Sequence, residues 1–158
     1  MGPWANPSNT SSSSSSETGS AKALKAGTAL TVDGGNITID SADDSIHTND
    51  TVTINGGYIV IDVAGDGVDS NGSITMTNGT VIVNGPENSG NGALDYDTTF
   101  DISGGVFVAA GNNGMVQAPS TSSSQASINV SLPSSSSNSM VSILDASGNT
   151  ILSFTPSK

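Results

Sequence analysis

The chain has 158 residues and a formal net charge of −11, with 14 acidic residues, three lysines and no arginine. Nucleic-acid phosphates and anionic membrane surfaces repel a chain of this charge, so both are excluded as partners. Aromatic residues make up 4% of the chain and cysteine is absent, which excludes a core of large rings, a disulfide framework and thiol chemistry.

Residues 1–20 consist mainly of Ser, Thr, Asn and Pro, with Trp4 as their one aromatic residue. This composition buries too little apolar surface to offset the entropy of ordering, and it predicts a disordered Ser-rich linker. The start of the chain lacks the charged and apolar regions of a signal peptide, and no apolar run reaches the length of a membrane span. We therefore expect that the export signal lies outside this chain or that the chain is a fragment.

Residues 21–111 repeat with a period of 22 residues, lengthened once to 26 by four extra residues at 85–88. A Gly-Gly or Asn-Gly pair recurs in step with this period, and apolar residues alternate with polar ones inside each repeat. Alternation of this kind is typical of half-buried β-strands and excludes an α-helix. Repeats of this length must stack to bury their apolar residues, so they predict a parallel β-solenoid of about four coils with three short strands each.

Stacking of the repeats places equivalent residues of successive coils directly above one another. Five interior columns of apolar residues are predicted: Leu24, Ile46, Val68 and Leu94; Leu30, Val52, Ile74 and Phe100; Val32, Ile54, Met76 and Ile102; Ile37, Ile59, Val81 and Phe107; and Ile39, Ile61, Val83 and Ala109. One outer face carries Thr31, Thr53, Thr75 and Asp101. Another outer face is unusually apolar, which indicates that some other part of the chain covers it; it consists of Tyr58, Val60, Ile82, Val106 and Val108.

Residues 112–158 leave the 22-residue register and form the third predicted region. Alternation predicts strands at 125–132, 140–145 and 150–155, a hairpin turn at 146–149, and Ser-rich loops at 119–124 and 134–139. We predict that this region forms an antiparallel ribbon packed on the solenoid, where it caps the last coil or covers the apolar face and protects an open strand edge. Because Lys158 follows a strand directly, we expect the chain to be truncated there.

Acidic and amide residues gather at the corner that begins each coil. Stacking aligns three columns there: Lys22, Asp44, Asp66 and Gly92; Lys25, His47, Asp69 and Asp95; and Gly27, Asn49, Asn71 and Asp97. Carboxylates about 5 Å apart repel by roughly 3 kcal/mol at an effective dielectric constant near 20, so a partly buried column requires a cation. Oxygen ligands suit Ca²⁺, whereas one histidine and no cysteine argue against zinc. We predict that calcium is held between coils by Asp43, Asp44, Asn49, Asp66, Asp69, Asn71, Asp95 and Asp97.

Other interpretations of the same corner stay open. It can be a solvated acidic edge with raised carboxyl pKa values and with Lys22 and Lys25 as partial counter-ions. His47 as a general base, or Asp43 and Asp44 as paired glycosidase carboxylates, would make it catalytic. Sugar-cleaving β-helices commonly need Arg or Lys beside the substrate, and this chain has no arginine and carries lysine only near its two ends. We therefore expect no catalytic residue.

Several runs of residues resemble one known family: Lys22-Ala-Leu-Lys-Ala-Gly, Ser41-Ala-Asp-Asp-Ser-Ile-His-Thr-Asn, Ile54-Asn-Gly-Gly and Asn91-Gly-Ala-Leu-Asp-Tyr-Asp. Together with Gly114-Met-Val-Gln-Ala-Pro-Ser, they are similar to bacterial carbohydrate-binding-domain proteins with a pectate-lyase-like, right-handed parallel β-helix. Asp43, Asp44, His47 and Asn49 match the family's Asp-Asp-Gly-Ile-His pattern, with Ser45 in place of its glycine. In the third coil, Gly65-Asp66-Gly67-Val68-Asp69 lacks the first aspartate and the histidine of that pattern.

The resemblance implies an extracellular or surface-attached module that binds plant cell-wall polysaccharide, either cellulose or acidic pectic sugars, with calcium between its coils and no lyase activity. The leading hypothesis is therefore a non-catalytic polysaccharide-binding module. Two alternatives remain, namely a polysaccharide lyase or hydrolase and a structural adhesin or spacer repeat that binds no sugar.

Overall fold

The computed structural model describes residues 21–133 and 138–158. The predicted linker at 1–20 and most of the predicted loop at 134–139 lie outside these residues. Within the described ranges the regular structure consists of 14 β-strands and includes no helix. The all-β class is therefore confirmed.

Each coil contributes three strands, which follow one another along the chain. The first coil has β1 (Leu24–Ala26), β2 (Ala29–Val32) and β3 (Asn36–Ser41); the second has β4 (Ile46–Thr48), β5 (Thr51–Ile54) and β6 (Tyr58–Val63). The third has β7 (Val68–Ser70), β8 (Ser73–Met76) and β9 (Thr80–Asn84); the fourth has β10 (Leu94–Tyr96), β11 (Thr99–Ile102) and β12 (Val106–Ala110). Equivalent strands pair in parallel, which confirms a parallel β-solenoid of four coils.

The solenoid has three four-stranded sheets. Sheet A consists of β1, β4, β7 and β10; sheet B of β2, β5, β8 and β11; and sheet C of β3, β6, β9 and β12. The strand partners confirm the register of all five predicted columns, because each column residue pairs with its equivalent in the next coil. The core therefore runs along the solenoid axis between the three sheets.

Burial along the columns depends on the coil. The column residues of the second and third coils are fully buried, whereas Leu24, Leu30 and Ile37 of the first coil are only partly buried. Ala109 of the fourth coil is exposed although it keeps its register with Val83, so its predicted place in the interior is wrong. A residue of an end coil has a neighbour on one side only, which leaves part of its surface open.

The turn between sheets B and C contains the Gly-Gly or Asn-Gly pair of each coil, and it requires glycine at one of the two positions. The second residue has positive φ in every coil: 93° at Gly35, 100° at Gly57, 98° at Gly79 and 88° at Gly105. Asn78 occupies the first position, which has no positive φ in any coil, so asparagine there keeps an ordinary backbone conformation. The glycine period in the sequence is therefore a backbone requirement of the turn.

The C-terminal region forms a hairpin of β13 (Val141–Leu144) and β14 (Thr150–Phe154), with Gly148 at φ 84° in its turn. This antiparallel ribbon confirms the predicted one. The predicted strand at 125–132 is wrong, because these residues form no strand and Ile128, Val130 and Leu132 are exposed. Alternation yields a strand only where a partner edge accepts successive backbone hydrogen bonds. Here the Ile102 carbonyl accepts one from the Gln125 N–H (3.2 Å), and no described strand pairs with the segment.

The hairpin lies over the apolar outer face of sheet C. Leu152 and Phe154 line a groove together with Tyr58, Val60, Ile82, Val106 and Val108. The last residues fasten it there: the Ser157 N–H donates to Oδ1 of Asn84 (3.0 Å), and the Lys158 ammonium lies 2.6 Å from Oδ1 of Asp62. The chain itself therefore covers part of the apolar face, whereas Tyr58 and Val106 stay exposed beside the hairpin.

Candidate functional site

The candidate site is the corner at which each coil enters sheet A. Backbone hydrogen bonds hold successive corners in register, from the Ser45 N–H to the Asp66 carbonyl and from the Gly67 N–H to the Gly92 carbonyl, each 2.9 Å. On the strands that follow, Lys25, His47, Asp69 and Asp95 are consecutive partners, as the sequence predicted. The corner thus stacks ionisable residues from four coils along the solenoid axis.

Aspartate side chains at the corner hold the backbone of the next coil. Oδ1 of Asp44 accepts a hydrogen bond from the Asp66 N–H (2.9 Å), and Oδ1 of Asp66 accepts one from the Gly92 N–H (2.6 Å). A Cβ atom at Gly65 would lie 2.7 Å from Oδ1 of Asp44 and from the Asp43 backbone. Glycine therefore replaces the first aspartate of the pattern in the third coil because an aspartate there would displace the Asp44 side chain.

Four residues form a compact cluster at the second coil, which we call the Lys22 corner: Lys22, Asp44, His47 and Asp69. Asp44, His47 and Asp69 are all buried, and one ligand atom of each lies within 4.8 Å of the other two. Among the described residues this is the one such set of three potential metal ligands. The Lys22 ammonium forms an ion pair with Asp44 and lies 3.9 Å from Oδ2 of Asp69.

The imidazole of His47 is held from both sides. Nδ1 donates to Oδ2 of Asp69, and Nε2 lies 3.3 Å from Oδ1 of Asn49. A ring nitrogen that carries a proton toward Asp69 is not available as a metal ligand. In this arrangement His47 orients Asp69, and Asn49 lies against the other ring nitrogen.

Asp66 and Asp95 form a second part of the corner, which we call the Asp66–Asp95 edge. Burial raises the pKa of Asp66, and the charges of Asp95 and Asp69 raise it further. Burial also raises the pKa of Asp95, as do the charges of Asp69 and Asp97. Neither carboxylate forms an ion pair within the part of the chain that the structure describes. Negative charge is therefore left uncompensated at this edge.

The eight predicted ligands are thus distributed over the corner and do not form one site. Asp44 and Asp69 belong to the Lys22 corner, and Asp66 and Asp95 to the Asp66–Asp95 edge. Asp43 is half-buried, whereas Asn49, Asn71 and Asp97 are exposed. The spacing predicted which residues stack, but it could not predict how far each side chain turns toward its neighbours.

Sequence reasoning missed Gln117, which belongs to the edge. Its amide NH₂ donates to Oδ1 of Asp95 (3.1 Å), and its Oε1 accepts from the Tyr96 N–H (2.9 Å). The Tyr96 hydroxyl donates to the Ala118 carbonyl (2.7 Å), and its ring packs edge-on against Phe100. Tyr96 is therefore engaged in packing the last coil. The signal that could have found Gln117 is its spacing of 22 residues from Asp95, which equals the repeat period.

The donor sets differ in their fit to calcium. The Lys22 corner does not fit, since an ammonium lies against its carboxylates and a protonated imidazole nitrogen faces Asp69. The Asp66–Asp95 edge fits in chemistry, because its side-chain donors are carboxylate oxygens whose charges lack a counter-ion there. Its protein donors are few, which leaves coordination positions for other oxygens.

Residues 5–67 match a family model described as carbohydrate-binding domain-containing protein. The match covers less than half of the chain and includes the first two coils, with Lys22, Asp44 and His47 of the Lys22 corner but not Asp69. It agrees with the resemblance in its carbohydrate-binding description, while the bacterial origin and the pectate-lyase-like type of helix stay predictions. No curated protein and no solved structure matches the chain.

The described residues contain no helix that is long and apolar enough to span a membrane.

Proposed function

We propose that this chain is a non-catalytic, extracellular or cell-surface module that binds plant cell-wall polysaccharide. The observation that carries the proposal is the match of residues 5–67 to a carbohydrate-binding family model. The fold is compatible with this function, because stacked coils repeat the same side chains at the spacing of parallel strands along a straight axis. A polymer lying along the axis would meet similar groups at every coil.

We further propose that the bound polymer is acidic and that Ca²⁺ links it to the Asp66–Asp95 edge. A chain of net charge −11 repels a polyuronate, so a direct contact between the two requires a cation. Calcium accepts six to eight oxygen ligands in flexible geometry, which suits a few protein carboxylates together with carboxylates of the sugar. Asp66 and Asp95 would hold the ion, and Gln117 would orient Asp95.

Binding to polygalacturonate and to cellulose, each with Ca²⁺ and with a chelator, tests this proposal. We expect binding to polygalacturonate that falls at least tenfold when calcium is removed. The double variant Asp66→Asn, Asp95→Asn should lose it to a similar extent, while Asp40→Asn, an exposed site on sheet C, serves as a control for the change in charge. Binding that is unaffected by the chelator would refute the calcium link, and binding to cellulose alone would refute the acidic polymer.

The same incubations separate the alternatives. An enzyme would generate new unsaturated or reducing ends in the polymer, and we expect none. A spacer or adhesin repeat would bind neither polymer under any condition. At the Lys22 corner, Asp44 is paired with the Lys22 ammonium and Asp69 with His47, an arrangement that does not favour the enzyme.

A further inference from the structure

The Lys22 corner contains a cation that belongs to the chain. The Lys22 ammonium pairs with Asp44 and lies 3.9 Å from Oδ2 of Asp69, and 15% of its side-chain surface is exposed. Two buried carboxylates without a counter-charge would carry a large desolvation cost. The ammonium therefore compensates charge at the position where a bound metal ion would do so.

The first coil supplies this ammonium because of its place in the stack. Lys22 lies in the column of Asp44 and Asp66, so its side chain extends from the first coil onto the corner of the second. Lys25, three residues later, is exposed and forms no ion pair within the described ranges. The two lysines carry the same charge, but one is built into the corner and the other faces solvent.

We propose that Lys22 is the resident cation of this corner and keeps divalent metal ions out of it. Without the ammonium, Asp44, His47 and Asp69 would present two carboxylates and an imidazole within 4.8 Å of one another. A mixed nitrogen and oxygen set of this kind binds zinc better than it binds calcium. Removal of the ammonium should therefore convert the corner into a zinc site, in which Nδ1 of His47 binds the metal and its proton moves to Nε2, beside Oδ1 of Asn49.

The test compares Lys22→Met with Lys25→Met, which removes the same charge from the same coil. Titration calorimetry with ZnCl₂ measures the stoichiometry and affinity of each variant and of the unaltered chain. We expect Lys22→Met to bind one additional Zn²⁺ at least tenfold more tightly than either of the others. The double variant Lys22→Met, His47→Gln should lose this binding, since the imidazole is gone.

Two results would overturn the proposal: equal zinc binding by Lys22→Met and Lys25→Met, or an equally tight corner site in the unaltered chain. If Lys22→Met fails to fold, recovery of folding by added zinc or by Asp44→Asn supports the proposal, because both compensate the lost charge. Failure of the variant with both Lys22→Met and Asp44→Asn to fold would overturn it. The proposal is independent of the calcium link, since zinc reports on His47 and calcium reports on Asp66 and Asp95.

Discussion

The two middle coils and the C-terminal residues 112–158 share the same alternation of apolar and polar residues, yet they bury it very differently. Ile59 and Ile74 in the middle coils have no exposed surface, whereas Ile128 and Ile151 in the C-terminal region are each 67% exposed. A middle coil has a neighbour above and below that continues every column. The C-terminal residues have at most one such neighbour, so alternation alone does not produce a core.

Truncation of one isoleucine in each region should give the largest difference. Ile74→Ala removes a fully buried side chain and leaves a cavity between sheets, and we expect a loss of about 3 kcal/mol in the free energy of unfolding. Ile151→Ala removes an exposed side chain and should cost less than about 0.5 kcal/mol. Urea denaturation followed by circular dichroism measures both. Equal losses would contradict the contrast between the two regions.

A glycine substitution in each turn should give the next largest difference. Gly57 has φ of 100°, and a Cβ atom there would lie 3.1 Å from the backbone of Gly34 and Gly35 in the coil below. Gly148 in the hairpin turn has φ of 84° with nothing within 4 Å. We expect Gly57→Ala to cost about 2 kcal/mol or more, and Gly148→Ala about 1 kcal/mol. A larger loss of unfolding free energy for Gly148→Ala than for Gly57→Ala would show that the close approach of neighbouring coils does not constrain the turn at Gly57.

The pH dependence of stability should differ in sign between the Asp66–Asp95 edge and the ion pair of Asp62 with Lys158 at the hairpin. The pKa values of Asp66 and Asp95 are raised in the folded chain, so their ionisation destabilises it, fully so above the folded pKa values. This penalty decreases as pH falls from the folded pKa values toward the unfolded pKa of 3.8. The Lys158 ammonium lowers the pKa of Asp62 in the folded chain. The stabilising effect of this ion pair is therefore complete above the unfolded pKa of Asp62 and is lost as pH falls through the folded pKa.

Thermal melts between pH 7 and pH 3 check this opposition, with Asp66→Asn and Asp95→Asn to identify its source. At pH 7 without calcium, we expect the double variant to be more stable than the unaltered chain by about 0.5 kcal/mol. Asparagine retains the Oδ1 acceptor for the Gly92 N–H, so the change reports on charge. A double variant that is less stable at pH 7 would show that these carboxylates are already compensated.

The smallest effect should come from the fastening of the hairpin. Lys158→Met removes the contact with Asp62, which is a partly exposed ion pair, and should cost less than about 0.5 kcal/mol in global stability. Local opening should still increase, because the ammonium also donates to the Val63 carbonyl (2.8 Å). Amide exchange of β13 and β14 measures this opening. Unchanged exchange there would show that apolar packing alone holds the hairpin on sheet C.

Much of the fold could be predicted because its signals are periodic. The 22-residue repeat predicted all five columns, and the apolar face of sheet C predicted a cover from elsewhere in the chain. The strand at 125–132 could not be judged in this way, since Ile128 and Val130 alternate as regularly as Ile59 and Ile61 do. A strand forms there only if an unpaired strand edge lies beside the segment, and the position of such an edge is known only once the coils are assembled.

The candidate site was predictable only as a neighbourhood. The columns placed Asp44 beside Asp66 and His47 beside Asp69, and the structure confirms both pairs. The columns also placed Lys22 beside Asp44, but they could not show that its ammonium would pair with Asp44 and reach Asp69. Gln117 follows Asp95 by 22 residues and so continues that column, although the apolar alternation no longer marks the register there. The period of the sequence therefore places both pairs, whereas the contacts themselves depend on the conformation of each side chain.

The sequence by itself determined the repeat, the inward and outward sides of each strand and the stacking of acidic residues at one corner. It could do so because parallel coils of equal length copy spacing along the chain directly into neighbours in space. Only the tertiary structure decided which carboxylates are compensated by Lys22 and which are left with raised pKa values. That outcome depends on burial and on the reach of individual side chains, which appear only once the coils are stacked.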